Sequence, residues 1–403
     1  MPVRHIIGWL SAVVLAALVG SWSYAVANEK LVPAKALAAG SLFAGTAKAS
    51  LAFRSFVTRQ GGRVNGAERK LVEDAYKAEP LSISALGILA LSMTGEADAR
   101  RRQSLLELTG KLSRRSALVS NELIKSAAVR NDDLTFFTWL SRLMLTGDEA
   151  KQAYGSAMAD ATAKDGAVEA LTPIIGPGPR WSDFYWGMVV RRPNSLVNAA
   201  RLRIAVAGQP WRQTEVKPAD EALLSGLVRK GEFDVARELA DSLSPLSAKA
   251  RRKSANLLND GDFTTVPILA PFDWQLSTSG NLGASIDGRG GLLISAIGGA
   301  RGAAARQLLR LVPGEYSAAW KISASGEIGS QVLSARLECA EQGVGNAAPA
   351  RIPLSQTVSE ARIHVPDGVC HWYWFSIAVE IPDNNPGVDL NLQRLALTKV
   401  VER

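Results

Sequence analysis

The sequence predicts a multidomain protein in which an α-helical region precedes a β-rich region. Three observations predict this order: a long uncharged segment near the N-terminus, apolar residues that recur every three or four positions from Pro33 to about Leu258, and period-two alternation with frequent turn pairs from Asn259 onward. A chain of 403 residues has room for two separate hydrophobic cores. We therefore divide it into residues 1–30, 31–253 and 254–403.

The N-terminal segment has the properties of a membrane signal. Ile6 to Ala27 contains no charged residue, and its 22 residues are enough for a helix to cross a hydrocarbon core of about 30 Å. Arg4 on the short side, with Trp22 and Tyr24 as interfacial aromatics, favours a single-pass inner-membrane anchor and a periplasmic body. The triplet Ala25-Val26-Ala27 also fits a peptidase site, so the alternative is cleavage after Ala27 and a soluble periplasmic protein.

The two cysteines, Cys339 and Cys370, both fall in the β-rich region. Because an exported chain enters an oxidising compartment, we expect them to form a disulfide. The alternative is two small buried apolar side chains. No metal site is expected, since the chain has only three histidines and no Cys-x-x-Cys pair.

The net charge of +8 is unevenly distributed. Residues 254–403 contain 11 Lys and Arg against 14 Asp and Glu, a net charge of −3, which leaves +11 for residues 1–253. For an exported chain this excludes nucleic acid as the expected partner and favours an anionic polymer or an acidic lipid surface. An ordinary solvated helix surface is the alternative.

The helical region predicts stacked helix pairs. Helices are predicted over Leu118–Val129, over Leu134–Leu145 behind the capping pair Asp132 and Asp133, and over Lys151–Ala163. Their lengths and spacing are typical of a helical repeat array.

The stretch from Pro218 to Pro245 carries a more specific pattern. Gly231, Phe233, Ala236 and Ala240 follow one another at the spacing of a turn glycine, an aromatic and two small residues, and the stretch resembles a tetratricopeptide repeat. The aromatic side chain that the family has at the position of Ala240 is absent. The resemblance implies antiparallel helix pairs and a role in holding a protein partner.

The β-rich region contains three short segments that follow in order: Asn259–Phe263, Pro271–Trp274 and Val312–Tyr316. In this order they resemble segments of the jelly-roll carbohydrate-binding modules, which implies an antiparallel β-sandwich and contact with a polysaccharide. That family often holds a structural calcium ion with two acids, but this sequence has Thr264 and Gln393 at those places. We therefore expect no calcium site of that kind.

The strand predicted over Cys370–Pro382 carries the candidate binding site. An unbroken apolar row from Tyr373 to Ile381 must face the core, so Trp372 and Trp374 lie on the opposite face, about 6 to 7 Å apart. We expect these indoles to stack on sugar rings. A second strand offers Arg336 and Glu338 as polar partners on its outer face. In the alternative, the helical array or a loop covers the tryptophans, which are then structural.

Catalytic patterns are absent from the sequence. It has no glycine-rich phosphate loop, no paired zinc histidines on a helix and no Gly-x-Ser-x-Gly elbow, and so no catalytic residue and no cofactor are expected. Outside the targeting segment His364 and His371 are the two histidines, and His371 is predicted to be a structural residue on the inward face of a strand.

These observations together predict a non-enzymatic binding or scaffold protein of the cell envelope. Its helical repeats are expected to hold a protein partner and its sandwich to contact glycan, in a setting of polysaccharide assembly or export. The alternatives are a glycan-cleaving enzyme and a purely structural sandwich that caps the helical array.

Overall fold

The computed structural model describes residues 2–29, 31–38, 45–59, 63–286, 288–324, 332–341, 350–368 and 370–400. The chain divides into two compact units, Met1–Met158 and Ala159–Arg403. The change from helix to strand falls where the sequence places it, after a last helix that ends at Lys253. The division into units falls earlier than the predicted boundary at 253/254, because the last helices share a unit with the β-sheets.

The first unit is helical. Its helices are α1 Pro2–Asn28, α2 Pro33–Ala38, α3 Gly45–Thr58, α4 Gly66–Ala78, α5 Ile83–Ser92, α6 Ala99–Leu112, α7 Ala117–Val129, α8 Asp133–Leu143 and α9 Asp148–Ala161, which crosses the division. A 3-10 turn, Glu96–Asp98, precedes α6. Helices adjacent in sequence pack against each other from α3 to α8, as the stacked-pair prediction requires. Of the predicted capping pair, Asp132 caps α8, since its Oδ1 accepts from the Thr135 amide at 3.1 Å, whereas Asp133 is the first residue of the helix.

Helix α1 contains the uncharged segment of the sequence. Its described side chains begin at Ala12. Over the part of the chain that the structure describes, no helix combines the length and the apolar character needed to span a membrane.

The second unit begins with further helices. They are α10 Ala167–Ile175, α11 Ser182–Val189, α12 Leu196–Ala207, α13 Pro218–Arg229, α14 Phe233–Leu243 and α15 Pro245–Lys253, with a 3-10 turn at Pro193–Ser195 before α12. Helices α13 and α14 form the hairpin that the repeat-like stretch predicts. Gly231 makes the turn with a φ of +79°, a left-handed conformation that favours glycine. Membership of the tetratricopeptide family stays a prediction.

The rest of the second unit is an antiparallel β-sandwich, which confirms the predicted class of this region. Its strands are β1 Gln275–Leu276, β2 Thr278–Ser279, β3 Leu282–Ile286, β4 Leu292–Ala296, β5 Arg301–Arg310, β6 Gly314–Ala324, β7 Leu333–Cys339, β8 Ala350–Pro353, β9 Glu360–Val365, β10 Trp372–Glu380 and β11 Val388–Lys399. One sheet has the strand order β1-β5-β10-β7-β8, and the other has the order β2-β3-β4-β11-β6-β9.

The sandwich core lies between the two sheets. The row predicted from Tyr373 to Ile381 is buried in it and meets residues of the six-stranded sheet such as Leu395 and Trp320. Alternation along β10 therefore sets the inner and outer faces of the five-stranded sheet. This fixes which side chains of the neighbouring strands share the outer face.

The predicted disulfide between Cys339 and Cys370 is confirmed, with a Cα–Cα distance of 6.1 Å. Cys339 ends β7, and Cys370 lies two residues before the start of β10. The bond joins these two neighbouring strands at the end of the sheet that carries Trp372.

Candidate functional site

The candidate site lies on the outer face of the five-stranded sheet, on β10 and the strands beside it. Directly paired residues of antiparallel strands point to the same face. Trp374 is paired with Glu338 of β7, and Ser376 is paired with Arg336 of β7 and with Arg306 of β5. The structure thus brings together three of the four predicted binding residues, namely Trp374, Arg336 and Glu338, on one side of the sheet.

Trp372 is on the same face but is not open to a ligand. Its side chain is only 4% exposed, because Phe233 at the start of α14 stacks on it with ring centres 5.7 Å apart. Phe272, in the segment before β1, packs edge-on against the same indole at 6.1 Å. The expected open pair of tryptophans is therefore corrected: α14 and the Phe272 segment cover the first ring, and Trp372 is a structural residue.

Trp374 keeps part of its surface in solvent. The guanidinium of Arg306 lies over its ring, 4.3 Å from the ring centre, and Arg306 Nε donates to Gln275 Oε1 at 2.8 Å. Partial burial lowers the pKa of Arg306, while the nearby carboxylate of Glu338 acts in the opposite direction. The indole is thus held in one orientation by a cation on a neighbouring strand.

Arg336 takes part in an ion-pair network at the far end of this face. It donates to Glu380 Oε1, and Arg351 of β8 contacts the other oxygen of Glu380 at 3.0 Å. The hydrogen bond from Arg336 is the main reason that the pKa of Glu380 lies below its ordinary value. The two guanidiniums and the carboxylate therefore form a polar group that stays charged at neutral pH.

The histidines do not form a catalytic arrangement with the residues that the structure describes. His364 Nδ1 lies 2.6 Å from Glu315 on the other sheet. His371 was predicted to face inward, but its side chain is exposed because β10 begins one residue later, and its backbone amide donates to Glu341 at 3.0 Å.

Glu341 is also part of a cluster with Cys339 and Cys370 that has the spacing of metal ligands. The disulfide uses both thiols, and thiolates are the form in which cysteine binds a metal, so this cluster does not fit one.

Sequence reasoning did not find the residues that decide the character of this face. Arg306 stands in the outward phase of β5, but its position over Trp374 depends on the pairing of β5 with β10, which alternation alone does not give. Phe233 was assigned to helix packing within its own hairpin. Its partner Trp372 lies far away in the sequence, and the position of Phe233 at the start of α14 does not by itself indicate this contact.

Comparison with known proteins gives no family for the chain: no family model matches it, and no curated protein matches it. Among solved structures, it resembles a chain described as "CBM4 structure and function" with 14% identity and a TM-score of 0.27, over 36% of this chain and 99% of that one. It also resembles TmCBM61 in complex with β-1,4-galactotriose, with 13% identity and a TM-score of 0.25, over 36% of this chain and 100% of that one.

A further resemblance is to the enzymatically active domain of tailspike protein 4 of bacteriophage CBA120. The identity is 11% and the TM-score 0.24, over 36% of this chain and 22% of that one. At these identities and TM-scores, none of the three likenesses assigns a family or a ligand to the chain.

Proposed function

We propose that this chain is an exported, non-enzymatic binding protein of the cell envelope whose β-sandwich contacts a polysaccharide. The observation that carries the proposal is Trp374, a partly exposed indole held on a sheet face by Arg306 and bordered by Glu338 and Arg336. Sugar rings present apolar CH faces and polar edges, and this surface offers an apolar ring between charged groups.

The roles of the residues follow from their positions on the face. Trp374 stacks on one sugar ring with the part of the indole that Arg306 leaves open. Glu338, exposed and directly paired with Trp374, accepts hydrogen bonds from sugar hydroxyls. Arg336 lies farther along the face and donates a hydrogen bond to the next sugar residue of the polysaccharide. Its contact with Glu380 holds the guanidinium in place.

The purely structural sandwich is the second candidate, and the burial of Trp372 favours it. Phe233 and Phe272 occupy one end of the face that a longer glycan would follow. A binding site on this face is therefore confined to the part from Trp374 to Glu380. A site of this length contacts one or two sugar rings and binds them with modest affinity.

The disulfide supports export, because such bonds persist in oxidising compartments. In the proposal, residues 6–27 hold the chain at the inner membrane and the remainder lies in the periplasm; cleavage after Ala27 is the alternative. Fractionation of cells that express the full chain, or the chain lacking residues 6–27, tests this. The full chain is expected with the membranes, and recovery of a soluble periplasmic protein that starts at Asn28 contradicts the anchor.

The helical part is proposed to hold a protein partner, in a setting of polysaccharide assembly or export. Its support is the pairwise packing from α3 to α8 and the hairpin of α13 and α14, an arrangement that repeat proteins use to present binding surfaces.

Calorimetric titration of the full chain with neutral and acidic oligosaccharides tests the glycan proposal. Trp374→Ala is expected to lose roughly 2 kcal/mol of binding free energy, about thirtyfold in Kd. Leu293→Ala is the matched control, since Leu293 is an exposed apolar side chain on the outer face of the other sheet. Unchanged binding by Trp374→Ala, or loss only in the Leu293 variant, contradicts the assignment of this face.

A further inference from the structure

A pocket separate from the Trp374 face lies in the second unit, between the last two helices, α14 and α15, and the sandwich. It is a cavity of about 560 Å³ whose walls come from α14, α15, the end of β5 and the start of β10. This volume falls within the range of small-ligand sites. We call it the arginine pocket, because Arg237, Arg251, Arg252 and Arg310 all line it.

The charges in the pocket are not balanced. Asp241 lies within 4 Å of three guanidiniums: Arg237 at 3.2 Å, Arg252 at 3.8 Å and Arg251 in a direct hydrogen bond. Two of the three cations are largely removed from water, since the side chain of Arg251 is 13% exposed and that of Arg237 is 26% exposed. Like charges repel more strongly where solvent screening is reduced.

Arg237 shows the consequence of this crowding. Burial, together with the neighbouring charges of Arg251 and Arg252, lowers the pKa of Arg237 to about 10 against the attraction of Asp241 and Asp273. The other two lining acids, Asp234 and Glu238, are exposed at the rim, where Asp234 is 3.5 Å from Arg310. Four arginines and three acids line the pocket, so its lining keeps a small excess of positive charge that a bound anion would neutralise.

Part of the pocket wall is apolar. It includes Leu257 and the buried side chains of Leu309 and Trp372, and Phe233 of α14 stacks on Trp372. A planar guanidinium binds a carboxylate through two parallel hydrogen bonds. An apolar wall suits the CH face of a ring. A ligand that satisfies both parts of the wall has a carboxylate attached to a compact ring with one apolar face.

We infer that the arginine pocket binds a uronic-acid residue of an acidic saccharide, with Arg237 and Arg251 holding its carboxylate and the apolar part of the wall at Leu257 contacting its ring. The inference rests on the proposed function for the choice of a saccharide, and it assigns a second site separate from Trp374. Trp374 contacts the glycan on the open sheet face, and the arginine pocket favours acidic glycans over neutral glycans.

The test is calorimetric titration of the full chain with tri-galacturonate, with neutral galactotriose and with sodium acetate at constant ionic strength. Arg237→Gln and Arg251→Gln are each expected to weaken tri-galacturonate binding by about tenfold or more, the loss typical of one charged hydrogen-bond partner. Arg362→Gln, which removes an exposed arginine of β9 on the other sheet, is the matched control and is expected to change the affinity less than about twofold.

Asp241→Asn separates ligand binding from folding. Removing this carboxylate leaves the guanidiniums without a counter-charge, so tri-galacturonate is expected to raise the melting temperature of Asp241→Asn more than that of the parent. An arginine cluster with a purely structural role gives the same ligand-induced shift, or none, in both proteins. That result overturns the inference, as does acetate that competes as strongly as the saccharide.

The experiments test the two site assignments independently. If Trp374→Ala abolishes all binding while Arg237→Gln and Arg251→Gln bind like the parent, the arginine pocket is wrong and the proposed function stands. If the arginine variants lose tri-galacturonate while Trp374→Ala keeps it, the pocket stands and the open face is wrong.

Discussion

Strand β10 carries two tryptophans, two residues apart, in different surroundings. At the first end Trp372 is enclosed by Phe233 and Phe272, whereas two residues later Trp374 lies partly in solvent under Arg306. Both indoles lie on one face, as alternation requires. The difference shows that strand phase determines the face of a side chain, while distant segments of the chain determine whether that face is open.

The covered end serves to attach helices to the sandwich. Burial of a large aromatic ring contributes several kcal/mol, and here both rings that cover Trp372, those of Phe233 and Phe272, come from segments outside the sheet. Arg310, paired with Trp372 on β5, also lies 3.5 Å from Asp234 of α14. The division of the chain at 158/159 follows from such contacts, because α14 and the sandwich share one compact unit.

The largest expected effect is on the stability of the second unit. Trp372→Ala removes a fully enclosed ring and is expected to lower the free energy of unfolding by about 3 to 5 kcal/mol. Trp374→Ala removes a partly exposed ring and is expected to cost about 1 kcal/mol or less. Urea denaturation of the full chain measures both values. Equal losses in the two variants would mean that the surroundings of the two tryptophans do not differ as described.

The second expected effect concerns the disulfide, which lies next to the covered end. The bonded cysteines are separated by 31 residues, so replacing both with alanine is expected to cost about 3 to 4 kcal/mol. Hydrogen exchange should rise more around Trp372 than around Glu380 at the other end of the strand. Mass spectrometry of non-reduced digests checks the bond itself, and free thiols at both positions contradict it.

The smallest expected effect is at the open end. The pKa of Glu380 is lowered mainly by the hydrogen bond from Arg336, so its contribution to stability is present above the unfolded-state pKa and is lost as the pH falls through the lower folded-state value. The side chain of Glu380 is 41% exposed and water screens the pair, so the contribution is a fraction of about 1 kcal/mol.

Unfolding free energies at neutral and at acidic pH measure the contribution of Glu380 to stability. Glu380→Gln should lose slightly less stability on acidification than the parent. Asp389→Asn, which replaces an exposed carboxylate of the other sheet, should follow the parent. The opposite order would mean that the ion pairs of Glu380 with Arg336 and Arg351 do not stabilise the protein.

Local pattern predicted the elements of the fold well. The predicted helix over Leu118–Val129 corresponds to α7, the capping role of Asp132 follows from its side-chain chemistry, and the apolar row from Tyr373 to Ile381 is buried. These features depend on neighbours in the sequence. The division of the chain into units depends on which faces meet across long separations, and periodicity contains no information on that.

The candidate site was predictable only in part, for the same reason. Alternation placed Trp374, Arg336 and Glu338 on one face, but the cover over Trp372 comes from Phe233, which is distant in the sequence. The arginine pocket was likewise beyond pattern analysis. The positive charge of the helical half was evident, yet the meeting of Arg237 with Arg251 around Asp241 depends on how α15 folds back beside α14.

The most direct test of the account is oxidative footprinting of the two tryptophans, read by mass spectrometry with and without a bound oligosaccharide. In the free protein Trp374 is expected to be oxidised and Trp372 to be protected, because the first is partly open and the second is enclosed. Saccharide should then protect Trp374 and leave Trp372 unchanged. Oxidation of Trp372 at the rate of Trp374, or labelling of Trp374 that no saccharide alters, would contradict the division of this face into a structural end and a binding end.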